Sequence, residues 1–191
     1  MPGAYTRSKL LAEQLALQAA TSGFPVIVAN PTMPIGRHGG NFTPPTAMVR
    51  YFLSRSTQIY FDFVLNLVDV RDVAAGLLLT MQRGQVGGRY ILGGEDVSLR
   101  TLLEILGSMT GRNARRIQIP AGIAHVAAAT MEFFADHITH RSPSATVEGV
   151  LIASRSKPLS MEKSRRELGY APRPIESALR DTVATVVGGS R

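Results

Sequence analysis

A helical pattern that stops at a glycine and runs straight into Pro25-Val-Ile-Val-Ala-Asn30 constrains this chain more than any other feature. That short apolar run, rich in β-branched residues, leaves no polar face for water. It therefore suits a strand covered on both sides, the kind found in parallel sheets flanked by helices. The preceding segment supplies such a helix: Ser8, Leu11, Ala12, Leu15 and Ala19 recur at helical spacing within Tyr5–Ala20, and Gly23 marks its end. Helix, turn and buried strand make the second half of a βαβ crossover. Its first strand is expected to lie outside this sequence.

Further along, four prolines and three glycines make residues 31–45 read as one long loop, and a helix is expected from about Thr43 to Ser54. Gln58–Phe63 and Leu65–Val68 read as short strands. Asp69 is placed to cap a helix carrying Asp72 in its first turn, with Val73, Leu77 and Leu78 on its buried side. Gly88–Gly93 reads as a strand, Ser98 caps a helix that Gly111 ends, and Arg115–Ile119 is extended. Ala121–His140 has the period of an amphipathic helix, with Ile123, Val126, Ala127, Met131, Phe134 and Ile138 on its apolar stripe. Helices are also expected over 145–153, over 160–168, and from Pro174 to about Val187. The pattern is α/β first and α+β afterwards, with a boundary near residues 30–45.

Composition excludes several classes. The 191 residues accommodate one domain with a real core, or one domain and part of another, and 45% hydrophobic against 18% charged residues is too apolar for disorder. With no cysteine, there is no disulfide scaffold, thiolate zinc site or iron–sulfur ligation. The longest apolar stretch, 121–138, carries His125, Glu132, Asp136 and His137, so no bilayer crossing is expected. No secretory pattern opens the chain, and a cytoplasmic location is the expectation. A net charge of +7 invites an anionic partner. Yet the basic residues are spread from Arg7 to Arg191 and lack interleaved aromatics, so neither nucleic acid nor membrane is expected as a partner.

Tyr5 and Lys9 are the residues most able to carry chemistry. At i, i+4 they share a helix face, and an ammonium near a phenol favours the phenolate that proton exchange requires. The spacing alone better describes a solvated helix pair. His137 and His140 with Asp136 have no third ligand nearby in sequence, so no metal site is expected. No G-x-S-x-G and no glycine-rich phosphate-binding motif occurs.

The context of Tyr5-Thr-Arg-Ser-Lys9-Leu-Leu-Ala-Glu13 followed by Pro25-Val-Ile-Val-Ala-Asn-Pro-Thr-Met-Pro-Ile-Gly36 resembles the catalytic helix and next strand of the extended short-chain dehydrogenase/reductase (NAD-dependent epimerase/dehydratase) superfamily. Leu65-Asn-Leu-Val-Asp-Val-Arg-Asp-Val-Ala74, Arg89-Tyr-Ile-Leu-Gly-Gly-Glu95 and Gly169-Tyr-Ala-Pro-Arg-Pro174 resemble later blocks of the same superfamily. Within it, the dihydroflavonol-reductase-like branch, and in particular the hopanoid-associated sugar epimerases, is most similar. Gly39-Gly40 and Phe63-Val64 depart from that branch.

The resemblance implies a truncated Rossmann-type α/β fold with a small α+β substrate-binding lobe. Residues 1–35 would be the remnant of the dinucleotide-binding domain, and 36–191 the substrate lobe, with some elements returning to the sheet. It implies Tyr5 as catalytic acid/base and Lys9 as its pKa-lowering and ribose-binding partner, with Pro31 and Thr32 beside the nicotinamide of NAD or NADP. Hydride transfer at a hydroxyl-bearing carbon of a sugar, ketone or alcohol is the implied chemistry. About 130 residues of such a protein, including the phosphate-binding turn, would precede this sequence. The chain alone is then expected to be inactive, with a homodimer or a separately encoded Rossmann half as its protein partner. A non-catalytic binding module derived from such an enzyme is the alternative.

Overall fold

The computed structural model describes residues 3–37, 43–134 and 146–188. In chain order its elements are α1 (Ala4–Thr21), β1 (Val28–Pro31), β2 (Met33–Ile35), α2 (Pro44–Ser54), β3 (Thr57–Tyr60), β4 (Val64–Asp69), α3 (Val70–Arg83) and β5 (Arg89–Leu92). Then follow β6 (Glu95–Ser98), α4 (Leu99–Thr110), β7 (Arg115–Gln118), α5 (Ala121–Phe134), α6 (Val147–Ser154), a π-helical turn (Ser164–Leu168) and α7 (Ile175–Gly188). Two compact units share them: Met1–Arg50, Asn66–Asp96 and Leu159–Arg191 form the first, and Tyr51–Leu65 with Val97–Pro158 the second. The class is the expected α/β, with parallel strands and helices alternating along the chain.

In the first unit, α1 turns at Gly23 and leads into β1, which pairs in parallel with β5 from Val28↔Arg89 to Pro31↔Leu92. Thr32 then carries the chain into β2, which pairs in parallel with β4 from Met33↔Leu67 to Ile35↔Asp69. The expected single loop over 31–45 is thus corrected. Pro34 sits in a strand because β2 is an edge strand of the order β2-β4-β6, where a missing N–H is tolerated. β6 is a further strand that the sequence reading lacked, its polar Glu95 and Asp96 hiding it.

Asp69 caps α3 by accepting a 2.8 Å hydrogen bond from the Arg71 N–H. Burial alone would raise the Asp69 carboxyl, but the Arg71 hydrogen bonds outweigh it and hold that group below its ordinary value. Val73 is buried as expected, but Leu77 and Leu78 are exposed, and Asp72, Gly76 and Thr80 complete the buried face instead. The reason is close approach. A Cβ on Gly76 would stand 2.8 Å from Leu92 Cδ2 and 2.9 Å from Tyr170 Cε2, so the face toward the sheet must be small and the leucines point away. Tyr90, Leu92, Met161, Leu168 and Tyr170 form the core there. The expected helix over 160–168 is realised as one helical turn with π-type bonding at its end, closed by Gly169 in the left-handed region at φ 69°.

In the second unit, β3 and β7 pair in parallel from Thr57↔Arg115 to Tyr60↔Gln118. Ser98 caps α4 through the Thr101 N–H at 3.0 Å, and Gly111 ends it at φ 66°, both as expected. Leu99, Leu102, Leu103 and Leu106 are its buried row. The stripe expected to be buried on α5 is corrected: Ile123, Val126 and Met131 are exposed, whereas Ala124 and Ala128 pack with Val150 of α6. Two alanines let the helices approach closely, and the larger residues are left outside. Gly39, Gly40, Asp136, His137, Ile138 and His140 lie outside the described residues.

Candidate functional site

A helix places Tyr5 and Lys9 one turn apart on α1, and the Lys9 Nζ stands 5.8 Å from the centroid of the Tyr5 ring. Tyr5 is 63% exposed, so its phenol is open to solvent and to a ligand. Lys9 also lines a cleft of about 470 Å³ between α1 and β1, together with Thr6, Leu10, Glu13, Ala16, Val28 and Asn30. Among the described residues, Lys9 has no ion-pair partner.

What fixes this helix is Glu13, which the sequence reading quoted without assigning it a role. Its carboxylate accepts from the Asn30 Nδ2 of β1 at 2.9 Å and from the Arg89 Nη1 of β5 at 2.8 Å. The Arg89 hydrogen bond, then that of Asn30, holds the Glu13 carboxyl below its ordinary value. α1 contains no buried residue, so this one carboxylate reaching both strands of the parallel pair contributes much of its placement. The spacing Tyr5, Lys9, Glu13 puts all three on one helix face, a signal the sequence did contain.

Pro31 and Thr32 stand at the carboxyl end of β1, where open parallel sheets place their ligands. Neither they nor Tyr5 lines the cleft, so of the four expected site residues it receives Lys9 alone. The Thr32 N–H donates to the Leu92 carbonyl at 3.3 Å, and its hydroxyl donates to Asn66 Oδ1 at 2.8 Å. The same Asn66 oxygen accepts from the Gly94 N–H at 2.9 Å, while Asn66 Nδ2 donates to Asp96 Oδ1 at 2.8 Å. Asn66 is buried, and every bond its amide makes serves to hold the segments leaving the strand ends. An asparagine inside the apolar run Leu65-Asn-Leu-Val68 was the available signal, since a buried amide needs partners.

Among the described residues no cluster of three His, Asp or Glu could hold a metal ion, and no helix is long and apolar enough to cross a membrane.

Comparison with known proteins gives a consistent result. No family model matches the chain. A putative dihydroflavonol 4-reductase of Synechocystis sp. is 39% identical over 185 residues, covering 95% of this chain and 54% of the relative. The crystal structure of gox2253 superposes with a TM-score of 0.80 at 31% identity, over 100% of this chain and 58% of that one. The structure of PA4631, described as a nucleoside-diphosphate-sugar epimerase from Pseudomonas aeruginosa, superposes with a TM-score of 0.74 at 20% identity, over 98% of this chain and 56% of that one. The chain spans about half the length of the curated relatives it matches.

Proposed function

Because the chain belongs to the short-chain dehydrogenase/reductase superfamily, alongside NAD-dependent epimerases and dehydratases, we propose that it carries the proton-transferring part of an NAD(P)-dependent epimerase or ketone reductase. The observation that supports this best is the Lys9 ammonium, one turn from the Tyr5 ring, on a helix anchored by Glu13 to β1 and β5. In this reading Tyr5 gives a proton to the carbonyl oxygen of a sugar or ketone on reduction, and takes it back on oxidation. Lys9 donates to ribose hydroxyls.

The residues present suit the nicotinamide end of a dinucleotide. Lys9, Thr6 and Asn30 give the cleft hydrogen-bonding groups, and Pro31 with Thr32, outside the cleft at the carboxyl end of β1, would pack beside the ring. When bound, the nicotinamide would supply or accept the hydride. The sequence has no glycine-rich phosphate cradle, so the chain alone is expected to hold the dinucleotide weakly and to turn over no substrate. The second reading is a binding module that retains the fold without the chemistry, and the open exposure of Tyr5, with no hydrogen bond shown to its hydroxyl, is compatible with it.

The test is NADPH-dependent reduction by a chimera that joins the chain to the part of the Synechocystis relative it does not match. Tyr5→Phe is expected to lower kcat by about 10²–10⁴-fold, and Lys9→Met to weaken cofactor binding. Unchanged turnover in Tyr5→Phe would overturn the catalytic reading, and tight NADPH binding by the unaltered chain alone would overturn the binding-module reading.

A further inference from the structure

On a helix, a lysine and a glutamate one turn apart attract each other and tend to pair. Lys9 and Glu13 of α1 have that spacing, and both line the cleft between α1 and β1. They form no ion pair with each other. The Lys9 ammonium stands 5.8 Å from the Tyr5 ring centroid, toward the preceding turn, while the Glu13 carboxylate is taken up by the sheet. Its Oε2 accepts from Asn30 Nδ2 at 2.9 Å, and its Oε1 from Arg89 Nη1 at 2.8 Å. Val28 and Arg89 are register partners and Asn30 stands two residues after Val28, so both donors project from one face of the β1–β5 pair. Of the two, Arg89 alone brings a charge.

That charge decides what Lys9 can do. Without Arg89, the cleft wall would carry one cation and one anion a single turn apart, each the other's partner. With it, Glu13 is neutralised from the sheet, and Lys9 stands as a cation with no ion-pair partner among the described residues. We propose that Arg89 is a positioning residue for Lys9: by holding the Glu13 carboxylate on the sheet, it keeps that group off the ammonium and leaves Lys9 free for a ligand. An ammonium with three donors and no internal acceptor suits a ligand rich in oxygen acceptors, such as the ribose hydroxyls of a dinucleotide. The proposal deepens the functional reading and rests on it for that ligand. The Arg89 side chain is 62% exposed, so its contribution lies in its charge more than in packing.

The experiment uses the full chain, whose lysines are Lys9, Lys157 and Lys163. Limiting acetic anhydride is added at low salt, and mass spectrometry reads the acetylation of Lys9 relative to that of the exposed Lys157. An ammonium paired with a carboxylate is shielded, so Arg89→Met is expected to lower the Lys9 ratio about two- to fivefold, and added salt to shrink the difference. Arg89→Lys, which can still hold Glu13, is expected to keep the ratio. Adding Glu13→Gln to Arg89→Met is expected to restore it. Should Arg89→Met unfold, Arg89→Gln keeps a hydrogen-bond donor without the charge and is expected to lower the ratio in the same direction. An unchanged or higher ratio in these uncharged variants would overturn the proposal, the higher one being what loss of a purely structural anchor gives, since a loosened α1 exposes Lys9 further. A lowered ratio that Glu13→Gln does not restore would overturn it as well, because some other group would then cover Lys9. NADPH titration of the same proteins separates the two levels: Arg89→Met is expected to bind NADPH about two- to fivefold more weakly than the unaltered chain. Equal NADPH binding beside the expected acetylation pattern would instead overturn the ribose-binding part of the functional reading and leave the effect of Arg89 on Lys9 standing.

Discussion

Asp72, in the first turn of α3, accepts hydrogen bonds from both the backbone N–H and the Nε of Arg173, each at 2.9 Å and across 101 residues of chain. The Asp72 side chain is nearly inaccessible, whereas Arg173 is 43% exposed. Removing the carboxylate therefore leaves the backbone N–H short of a partner, but leaves the guanidinium free to turn to water. Asp72→Ala is expected to cost about 1.5–3 kcal/mol, read as a lower urea midpoint. A loss below about 0.5 kcal/mol would show that the Asp72–Arg173 contact contributes little to holding the segment that leads into α7.

Asn66 offers a sharper test, because its two amide ends do different work. Asn66→Asp keeps the oxygen that receives Thr32 and Gly94, but sets a carboxylate against Asp96, where an N–H had donated at 2.8 Å. The paired carboxyls should hold a proton more tightly when folded, so their contribution is present at acidic pH and lost as pH rises above the ordinary carboxylate range. Urea midpoints near pH 4 and pH 8 are expected to differ in the variant by about 1–3 kcal/mol more than in the unaltered chain. Equal differences would remove Asn66 from its place in the network.

Glu13 titrates in the opposite sense. Its folded carboxyl lies below the ordinary value of 4.5, so its contribution is present above that pH and is lost as pH falls through the lowered value. Protection factors for α1 amides should drop below about pH 4, several-fold at most, because Arg89 is largely exposed. In Glu13→Gln they should already be low at pH 7 and stay flat across the acid range.

Tyr170 governs the alkaline side. Burial, helped by the charge of Asp72, pushes its phenol up to about 12 from an ordinary 10.0. Its contribution is complete below pH 10 and disappears as pH rises toward 12. Tyr170→Phe should lose about 1 kcal/mol at neutral pH with the bond to the Gly93 carbonyl, and fall less steeply above pH 10. Some alkaline sensitivity should survive, since burial also raises Tyr90.

Local chemistry made much of this fold legible in the sequence. Ser98 and Gly111 bracket α4 because a side-chain cap and a left-handed stop are properties of single residues. Asp69 was readable as a cap for the same reason. Which face of a helix is buried proved harder to read. On α3 and α5 the largest apolar residues face outward, because the sheet and the neighbouring helix demand small groups such as Gly76, Ala124 and Ala128 at contact distance. Three-residue β2 is too short for any periodicity to register. At the site, Tyr5 and Lys9 were visible through spacing, whereas Glu13 and Asn66 act through partners 17 to 76 residues away that only the fold brings near.

Ser164 covers the Ile91 carbonyl of β5 and Tyr170 that of Gly93 just beyond it, which has a consequence for how the chain is made. Both donors lie more than 70 residues downstream of the carbonyls they cover, with separations of 73 and 77. At a ribosomal rate of about 5–20 residues per second, β5 emerges on the order of 4–15 s before either can reach it. Throughout that interval these two carbonyls lack the donors that cover them in the folded chain. A chaperone that shields strand edges should therefore raise the yield of this protein most when it acts during synthesis, before residue 170 has left the ribosome.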